Sequence, residues 1–143
     1  MRVFLTGKPG IGKTTIIKKV AELLKDKIIG FWTEEQRDLK TDKRVGFKII
    51  TTDGDIATLA SKTLLSPFKV GSYGVNIKEF EAVVIPLLEK AIKQRDKIII
   101  IDEIGKMDLF SEKFVNLVKK ITFTDNFNIL ATIPSRDVHP LVD

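Results

Sequence analysis

Short apolar runs separated by polar turns predict several β-strands along the chain. "KIIIIDEIG" is the clearest of them, because four consecutive isoleucines suit a strand buried on both faces of a parallel sheet. The segment "RVGFKIITTDGDIATL" predicts a β-hairpin that turns at Asp53 and Gly54, where a positive φ suits the Asp-Gly pair. Three further strands are predicted at 3–6, 27–33 and 128–134.

Between these strands, apolar residues recur with helical spacing. One helix is predicted over 14–24, a second after Asn76 and a third after Ser111. Asn76 with Glu79 forms a capping-box pattern, and Ser111 is a good N-cap. Pro86 should kink the second helix. The glycine-rich "KVGSYGVN" is interpreted as a loop. Strands that alternate with helices indicate an α/β fold with a mostly parallel sheet flanked by helices, into which the β-hairpin is inserted.

Length and composition limit the classes of protein that fit. The 143 residues, 43% of them apolar, fit one globular domain over 1–143. Without cysteine there can be no disulfide or thiol chemistry. The net charge of +5 comes from scattered lysines, which favours a solvated surface over a nucleic-acid site. No apolar run reaches the roughly 18 residues of a membrane span, so we expect a soluble, cytoplasmic protein.

A glycine-rich loop between the first strand and the first helix carries the strongest chemical signal. It matches the phosphate-loop pattern G-x-x-x-x-G-K-[ST] in full. Glycines let successive N–H groups converge on one anion, and the helix that follows adds its N-terminal dipole. Lys13 can reach the β- and γ-phosphates, and the Thr14 hydroxyl can bind Mg²⁺. The predicted nucleotide-binding residues are Gly7, Lys8, Pro9, Gly10, Ile11, Gly12, Lys13, Thr14 and Thr15.

An acidic pair follows the isoleucine strand at the sheet edge where parallel sheets bind ligands. Asp102 would hold Mg²⁺, directly or through water, and Glu103 would orient and deprotonate the attacking water. Lys106 is a further candidate, which either adds positive charge near the γ-phosphate or is a solvent-facing lysine in a loop. Glu34 or Glu35, after the second strand, is the alternative base.

Other residues have two interpretations each. Thr132 either senses the γ-phosphate or caps a strand inside the core. Trp32 is interpreted as core, whereas Tyr73 either stacks on a base or packs inside. His139 is interpreted as a turn residue, since one histidine does not make a metal site. Arg37 and Arg136 are arginine-finger candidates, although surface ion pairs are the preferred interpretation.

Six blocks of the chain together resemble the thermophile-type nucleoside-triphosphatases, a family with a human member. The resemblance implies a RecA-like P-loop fold and slow, Mg²⁺-dependent hydrolysis of ATP, GTP and other nucleoside triphosphates. It also implies that Lys13, Thr14, Asp102 and Glu103 have the roles argued above. The blocks are "GKPGIGKTT", "GFWTEEQR", "GFKII", "GSYGVN", "IIIIDEIGKMDLFS" and "ATIPSRDVHPLV".

Members of that family continue beyond the "HPLV" block with another strand and a helix. We therefore expect the 143-residue chain to lack these two elements. The strand before the phosphate loop, Val3 to Leu5, would then have one side unpaired and open to a second chain.

The favoured function is hydrolysis of nucleoside 5′-triphosphates, with water activated by Glu103. The first alternative is a small-molecule or nucleotide kinase, in which an acceptor hydroxyl replaces water. The second is a nucleic-acid-associated switch driven by nucleotide hydrolysis, although the chain has no basic block or aromatic array of the kind such grooves use.

Overall fold

The computed structural model describes residues 1–8, 10–124 and 126–135. Three α-helices are formed by Lys13–Leu24 (α1), Ile77–Ile92 (α2) and Glu112–Phe123 (α3). Short 3₁₀ turns lie at Lys25–Lys27 and Asp108–Phe110. The strands are Arg2–Gly7 (β1), Ile28–Arg37 (β2), Arg44–Thr51 (β3), Ile56–Ser61 (β4), Lys69–Val70 (β5), Tyr73–Val75 (β6), Ile98–Ile101 (β7) and Asn128–Pro134 (β8).

The eight strands form one sheet in the order β1-β8-β7-β2-β3-β4-β6-β5. Strands β1, β8, β7 and β2 run parallel, and each later neighbour is antiparallel. The α/β class and the inserted hairpin β3–β4 are as predicted, but the sheet is mixed rather than mostly parallel. The reason is that β2 to β4 follow one another through short turns, which can join only antiparallel neighbours.

Helices cover both faces of the sheet. Helix α1 packs on one face, where Ile17 is fully buried against Ile28 and Ile100. Helices α2 and α3 pack on the other face, which carries the larger core. Three aromatic rings meet edge to face at its centre, with centroids 5.3–6.2 Å apart, and belong to Phe31, Phe80 and Phe114. Burial of the β7 isoleucines between these two layers explains why that strand lacks polar alternation.

Both predicted helix caps are confirmed. The Glu79 N–H donates to Asn76 Oδ1 at 3.1 Å, and the Phe114 N–H donates to Ser111 Oγ at 3.1 Å. Helix α2 continues through Pro86 to Ile92.

The prediction that "KVGSYGVN" is a loop was wrong, because the segment forms the small hairpin β5–β6. Strand β6 lies so close to the Leu64 carbonyl oxygen that a Cβ on Gly74 would overlap it. This glycine therefore serves close backbone approach rather than a loop conformation.

Strand β2 extends four residues beyond its predicted end at Thr33, since Glu34 to Arg37 pair with β3. Within β2, Gly30 faces its β7 partner so closely that a Cβ would overlap the Ile100 carbonyl oxygen. The Gly30 N–H also donates to Thr52 Oγ1 at 3.1 Å, just beyond the end of β3. Gly30 therefore fixes the place where the parallel and antiparallel parts of the sheet meet.

Strand β1 pairs with β8 and with no other described strand, and Val3 and Phe4 on it are each 38% exposed. Across the described ranges, no helix combines the length and apolar character needed to cross a membrane.

Candidate active site

The phosphate loop joins β1 to α1 as the motif predicts. Gly10 and Gly12 have φ of 83° and 102°, in the left-handed region that favours glycine. Gly12 is the N-cap of α1, so the free N–H groups of the first helical turn face the loop. Lys8, Ile11 and Thr15 are exposed around it. Pro9, also predicted to bind nucleotide, lies outside the described residues.

Lys13 connects the loop to two strand ends. Its ammonium group donates to the Gly7 carbonyl oxygen at 2.9 Å and to the Ile133 carbonyl oxygen at 3.2 Å. It also lies 3.9 Å from Glu103 Oε2. The lysine is therefore held at the carboxyl ends of β1 and β8, where the motif requires a cation.

Asp102, 3% exposed, is surrounded by hydroxyl donors. The Thr14 hydroxyl donates to Oδ2 at 2.7 Å, and the Thr132 hydroxyl donates to Oδ1 at 2.5 Å. From β2, the Thr33 N–H contacts Oδ2 at 3.4 Å, and the Thr33 hydroxyl donates to the Asp102 carbonyl oxygen at 2.7 Å. Three neighbouring elements thus fix one carboxylate next to the phosphate loop.

The Glu103 side chain lies beside Lys13 and is 38% exposed. Burial raises the pKa of its carboxyl group, Lys13 opposes that rise, and Asp102 adds to it. The carboxylate folds back over Gly105, whose Cα it approaches so closely that a Cβ there would overlap Oε1. Glu103 therefore combines access to solvent with a position fixed by its own turn.

The alternative bases are engaged elsewhere. Glu34 Oε2 accepts from Trp32 Nε1 at 2.8 Å and lies 3.4 Å from Lys18. Burial acts to raise the pKa of Glu34, but the Trp32 hydrogen bond and Lys18 outweigh it and the pKa is lowered. Glu35 pairs with Arg37 at 2.7 Å and with Arg44 at 3.3 Å. No described contact brings either carboxylate to the phosphate loop.

Other candidates have clear places in the fold. Trp32 packs with the α1 core, as interpreted from the sequence. Tyr73 is buried against Phe47, and its hydroxyl accepts from Arg44 Nε at 2.9 Å, which favours packing over base stacking.

Lys106 is exposed at the turn after Gly105, and its side chain has no hydrogen bond or ion pair to the described residues. Arg136 and His139 lie outside the described residues.

Thr132 is fully buried, and its hydroxyl holds Asp102, so it does not face the loop as a γ-phosphate sensor would. Thr33 and Asp108 were not singled out from the sequence. Thr33 comes directly after the apolar run of β2, at the same edge of the sheet as Asp102. That position in the sequence is enough to indicate that Thr33 lies near the site. Nothing local to Asp108 indicates its burial, which depends on the fold of the turn.

The oxygen atoms of Thr14 and Asp102 suit a hard divalent cation, because hydroxyl and carboxylate oxygens are the donors that such ions prefer. In the described ranges, no group of three or more His, Cys, Asp or Glu residues could hold a metal by itself.

Comparison with known proteins shows which family the chain belongs to. A family model described as NTPase matches residues 2–143. The chain belongs to this NTPase family. Nucleoside-triphosphatase THEP1 from Aquifex aeolicus is 56% identical, over 99% of this chain and 82% of the relative. Human cancer-related nucleoside-triphosphatase is 39% identical, over 97% of this chain and 78% of the relative.

Two solved structures show that the NTPase fold extends over the chain. The crystal structure of THEP1 from Aquifex aeolicus superposes with a TM-score of 0.92 at 52% identity, covering 99% of this chain and 81% of that one. The solution structure of a human cancer-related nucleoside triphosphatase gives 0.77 at 39% identity, covering 99% and 79%. The predicted family and the P-loop NTPase fold are therefore confirmed.

Proposed function

We propose that this NTPase hydrolyses nucleoside 5′-triphosphates, ATP and GTP among them, to diphosphate and phosphate at the loop after β1, with Mg²⁺ as cofactor. Family membership supports the reaction class. The observation that carries the site assignment is the 2.7 Å hydrogen bond from Thr14 to Asp102, with Lys13 held beside them. This hydrogen bond joins the phosphate loop to the acidic end of β7. P-loop nucleotide hydrolysis needs both the loop and such a carboxylate.

The loop supplies the phosphate site. Its N–H groups and the N-terminus of α1 neutralise negative charge on the triphosphate, and Lys13 adds a full positive charge. Lys13 would exchange its carbonyl acceptors for phosphate oxygens when the nucleotide binds. Residues 7–15 are proposed to enclose the phosphates.

Thr14 and Asp102 would hold Mg²⁺ with their oxygen atoms, Asp102 directly or through water. When bound, the ion neutralises charge on the phosphates and helps to place them. Thr132 and Thr33 would keep the Asp102 carboxylate in place through their hydrogen bonds.

Glu103 is proposed as the general base. Its carboxylate borders both Lys13 and solvent, so it can orient a water molecule and take its proton. A pKa raised by burial makes this carboxylate a better proton acceptor than an exposed glutamate. Positive charge from Lys106 near the γ-phosphate stays a prediction.

The test is release of phosphate from Mg-ATP by Glu103→Gln, with Glu34→Gln as the matched control in the neighbouring strand β2. Glu103→Gln keeps the shape and removes the base, so turnover should fall roughly 10²–10⁴-fold while Mg-nucleotide binding survives. Glu34→Gln should retain wild-type turnover.

An unchanged rate for Glu103→Gln, with a loss for Glu34→Gln, would move the base to β2. All assays contain purified protein without an acceptor. Phosphate release that needs an added acceptor, which then becomes labelled, would replace hydrolysis by a kinase reaction.

A further inference from the structure

Asp108 is a buried acid with no part in the proposed chemistry. It lies in the 3₁₀ turn between β7 and α3 and is only 1% exposed. Its Oδ2 accepts the N–H of Gly105 at 3.2 Å, and its Oδ1 has no hydrogen-bond partner among the described residues. Burying a carboxyl group that makes only one hydrogen bond costs free energy of folding, so we ask what this side chain contributes in return.

The bond to Gly105 closes a compact turn that begins at the acidic pair. At one end, the Ile104 N–H donates to the Thr132 carbonyl oxygen at 2.9 Å. At the other, the Leu109 N–H donates to the Gly105 carbonyl oxygen at 3.0 Å. Asp108 supplies the side-chain bond inside this turn, and it therefore determines where the Gly105 backbone lies.

The Gly105 backbone is also the surface on which the Glu103 carboxylate rests. A Cβ at Gly105 would overlap Glu103 Oε1, so the two groups are already in contact. A shift of the Gly105 backbone would consequently move the carboxylate relative to Lys13, which lies 3.9 Å from it.

We propose that Asp108 is a positioning residue for the hydrolytic reaction, which fixes the Glu103 carboxylate by accepting the N–H of Gly105. The inference rests on the proposed role of Glu103. The role requires an acceptor at Asp108 Oδ2 but neither a charge nor a transferable proton at that side chain.

The electrostatics of the site agree with a neutral side chain. Burial raises the pKa of Asp108 well above its ordinary value, and the nearby carboxylates of Glu103 and Asp102 raise it further. The Gly105 N–H acts in the opposite direction but is outweighed. A neutral carboxyl group keeps one oxygen as an acceptor, as the amide of asparagine does.

The experiment compares Asp108→Asn, which keeps the acceptor, with Asp108→Leu, which keeps the approximate size and removes it. The kcat and KM for Mg-ATP are measured together with nucleotide affinity and Tm. Ser111→Ala is the matched control, because this buried cap in the same segment stabilises α3 without contacting Gly105. Glu103→Gln and the double variant Glu103→Gln/Asp108→Leu complete the set.

We expect Asp108→Leu to lower kcat about 10–100-fold with KM and nucleotide affinity within about threefold of wild type. Asp108→Asn and Ser111→Ala should keep kcat within about threefold, even where Tm falls. The kcat of the double variant should be at most about threefold lower than that of Glu103→Gln, because Asp108 acts through the Glu103 carboxylate.

Three results would overturn the inference: a wild-type kcat in folded Asp108→Leu, an equal loss in Asp108→Asn, or a multiplicative loss in the double variant. If Asp108→Leu does not fold, Gly105→Ala decides instead, because its Cβ displaces the Glu103 carboxylate directly. It should lower kcat at least tenfold with binding retained, and a wild-type kcat would refute the inference. Normal turnover in Glu103→Gln would instead refute the proposed base.

Discussion

The two halves of the sheet use their polar residues differently. In the parallel half (β1, β8, β7 and β2), strand ends point to one edge, and Thr132 and Thr33 meet there on Asp102. In the antiparallel half (β3, β4, β6 and β5), neighbouring strands end at opposite edges. There Arg44, at the start of β3, binds across strands to Tyr73 on β6 and to Glu35 on the adjoining strand β2.

The comparison teaches that strand direction, more than polarity, determines where a site can form. Parallel strands place several side chains from distant parts of the chain around one point. Antiparallel strands leave polar groups to pair with their nearest neighbours. We therefore expect substitutions of the side chains that meet around Lys13 and Asp102 in the parallel half to affect turnover, whereas matched substitutions in the antiparallel half should affect only stability.

Among the tests of this comparison, the largest effect is expected at the phosphate loop. Lys13→Ala removes a cation next to the phosphates, which should cost about 2–3 kcal/mol of transition-state stabilisation, or roughly 30–150-fold in kcat/KM. Lys62→Ala removes a lysine that lies over the Tyr73 ring in the antiparallel half, and it should leave kcat/KM unchanged. Steady-state phosphate release measures both. Wild-type hydrolysis by Lys13→Ala would contradict the loop assignment.

The next effect is at the junction of the halves. Gly30→Ala forces β2 away from the Ile100 carbonyl oxygen, and we expect a loss of about 2 kcal/mol in the free energy of unfolding together with lower turnover. Gly71→Ala, in the β5–β6 turn, meets open space and only the strain of φ 57°, so it should cost about 1 kcal/mol and leave turnover intact. Urea unfolding measures the free energy of unfolding of both variants. Equal losses would contradict the role of Gly30 at the junction of the two halves.

A smaller effect separates the two buried threonines. Thr132→Val removes a hydrogen bond to a charged group, and we expect about a tenfold loss of turnover and about 1.5 kcal/mol of stability. Thr51→Val, in β3, removes only the acceptor for the Asp55 N–H, so it should lower stability by about 1 kcal/mol without changing turnover. An equal fall in turnover in both variants would contradict the expected difference between the two halves of the sheet.

The smallest effect is a pH dependence of stability at Asp108. Since burial raises the pKa of this carboxyl group in the folded protein, the unfolded chain ionises first as pH rises from about 4. Wild-type stability should therefore fall with pH relative to Asp108→Asn, until the folded pKa is passed. Tm values of the two proteins, measured from pH 4 to 8, should diverge by on the order of a few degrees. Parallel Tm curves would mean that Asp108 is ionised in the fold.

Features encoded by adjacent residues were predictable from the sequence. The four isoleucines of β7, the glycines of the phosphate loop and the caps at Asn76 and Ser111 depend on local chemistry, and all have the predicted structure. The adjacency of Asp102 to that loop also followed, because both come at strand ends.

Features that depend on distant pairing were not predictable. The extension of β2 to Arg37 needs β3 as a partner, and the hairpin at "KVGSYGVN" needs the neighbouring edge of β4. The bond from Thr132 to Asp102 and the burial of Asp108 likewise arise only when β8 and the turn that follows β7 come together. The pattern of residues in a single sequence does not indicate contacts between segments that lie far apart along the chain.

The resting place of the Lys13 ammonium group has a thermodynamic consequence. Its carbonyl partners at Gly7 and Ile133 replace part of its hydration shell within the folded protein. Removing that water is therefore a cost of folding, and under the proposed phosphate role the immobilised side chain would lose little further entropy when an anion binds. An anion at this loop would thus meet a lysine that is already ordered and already partly dehydrated.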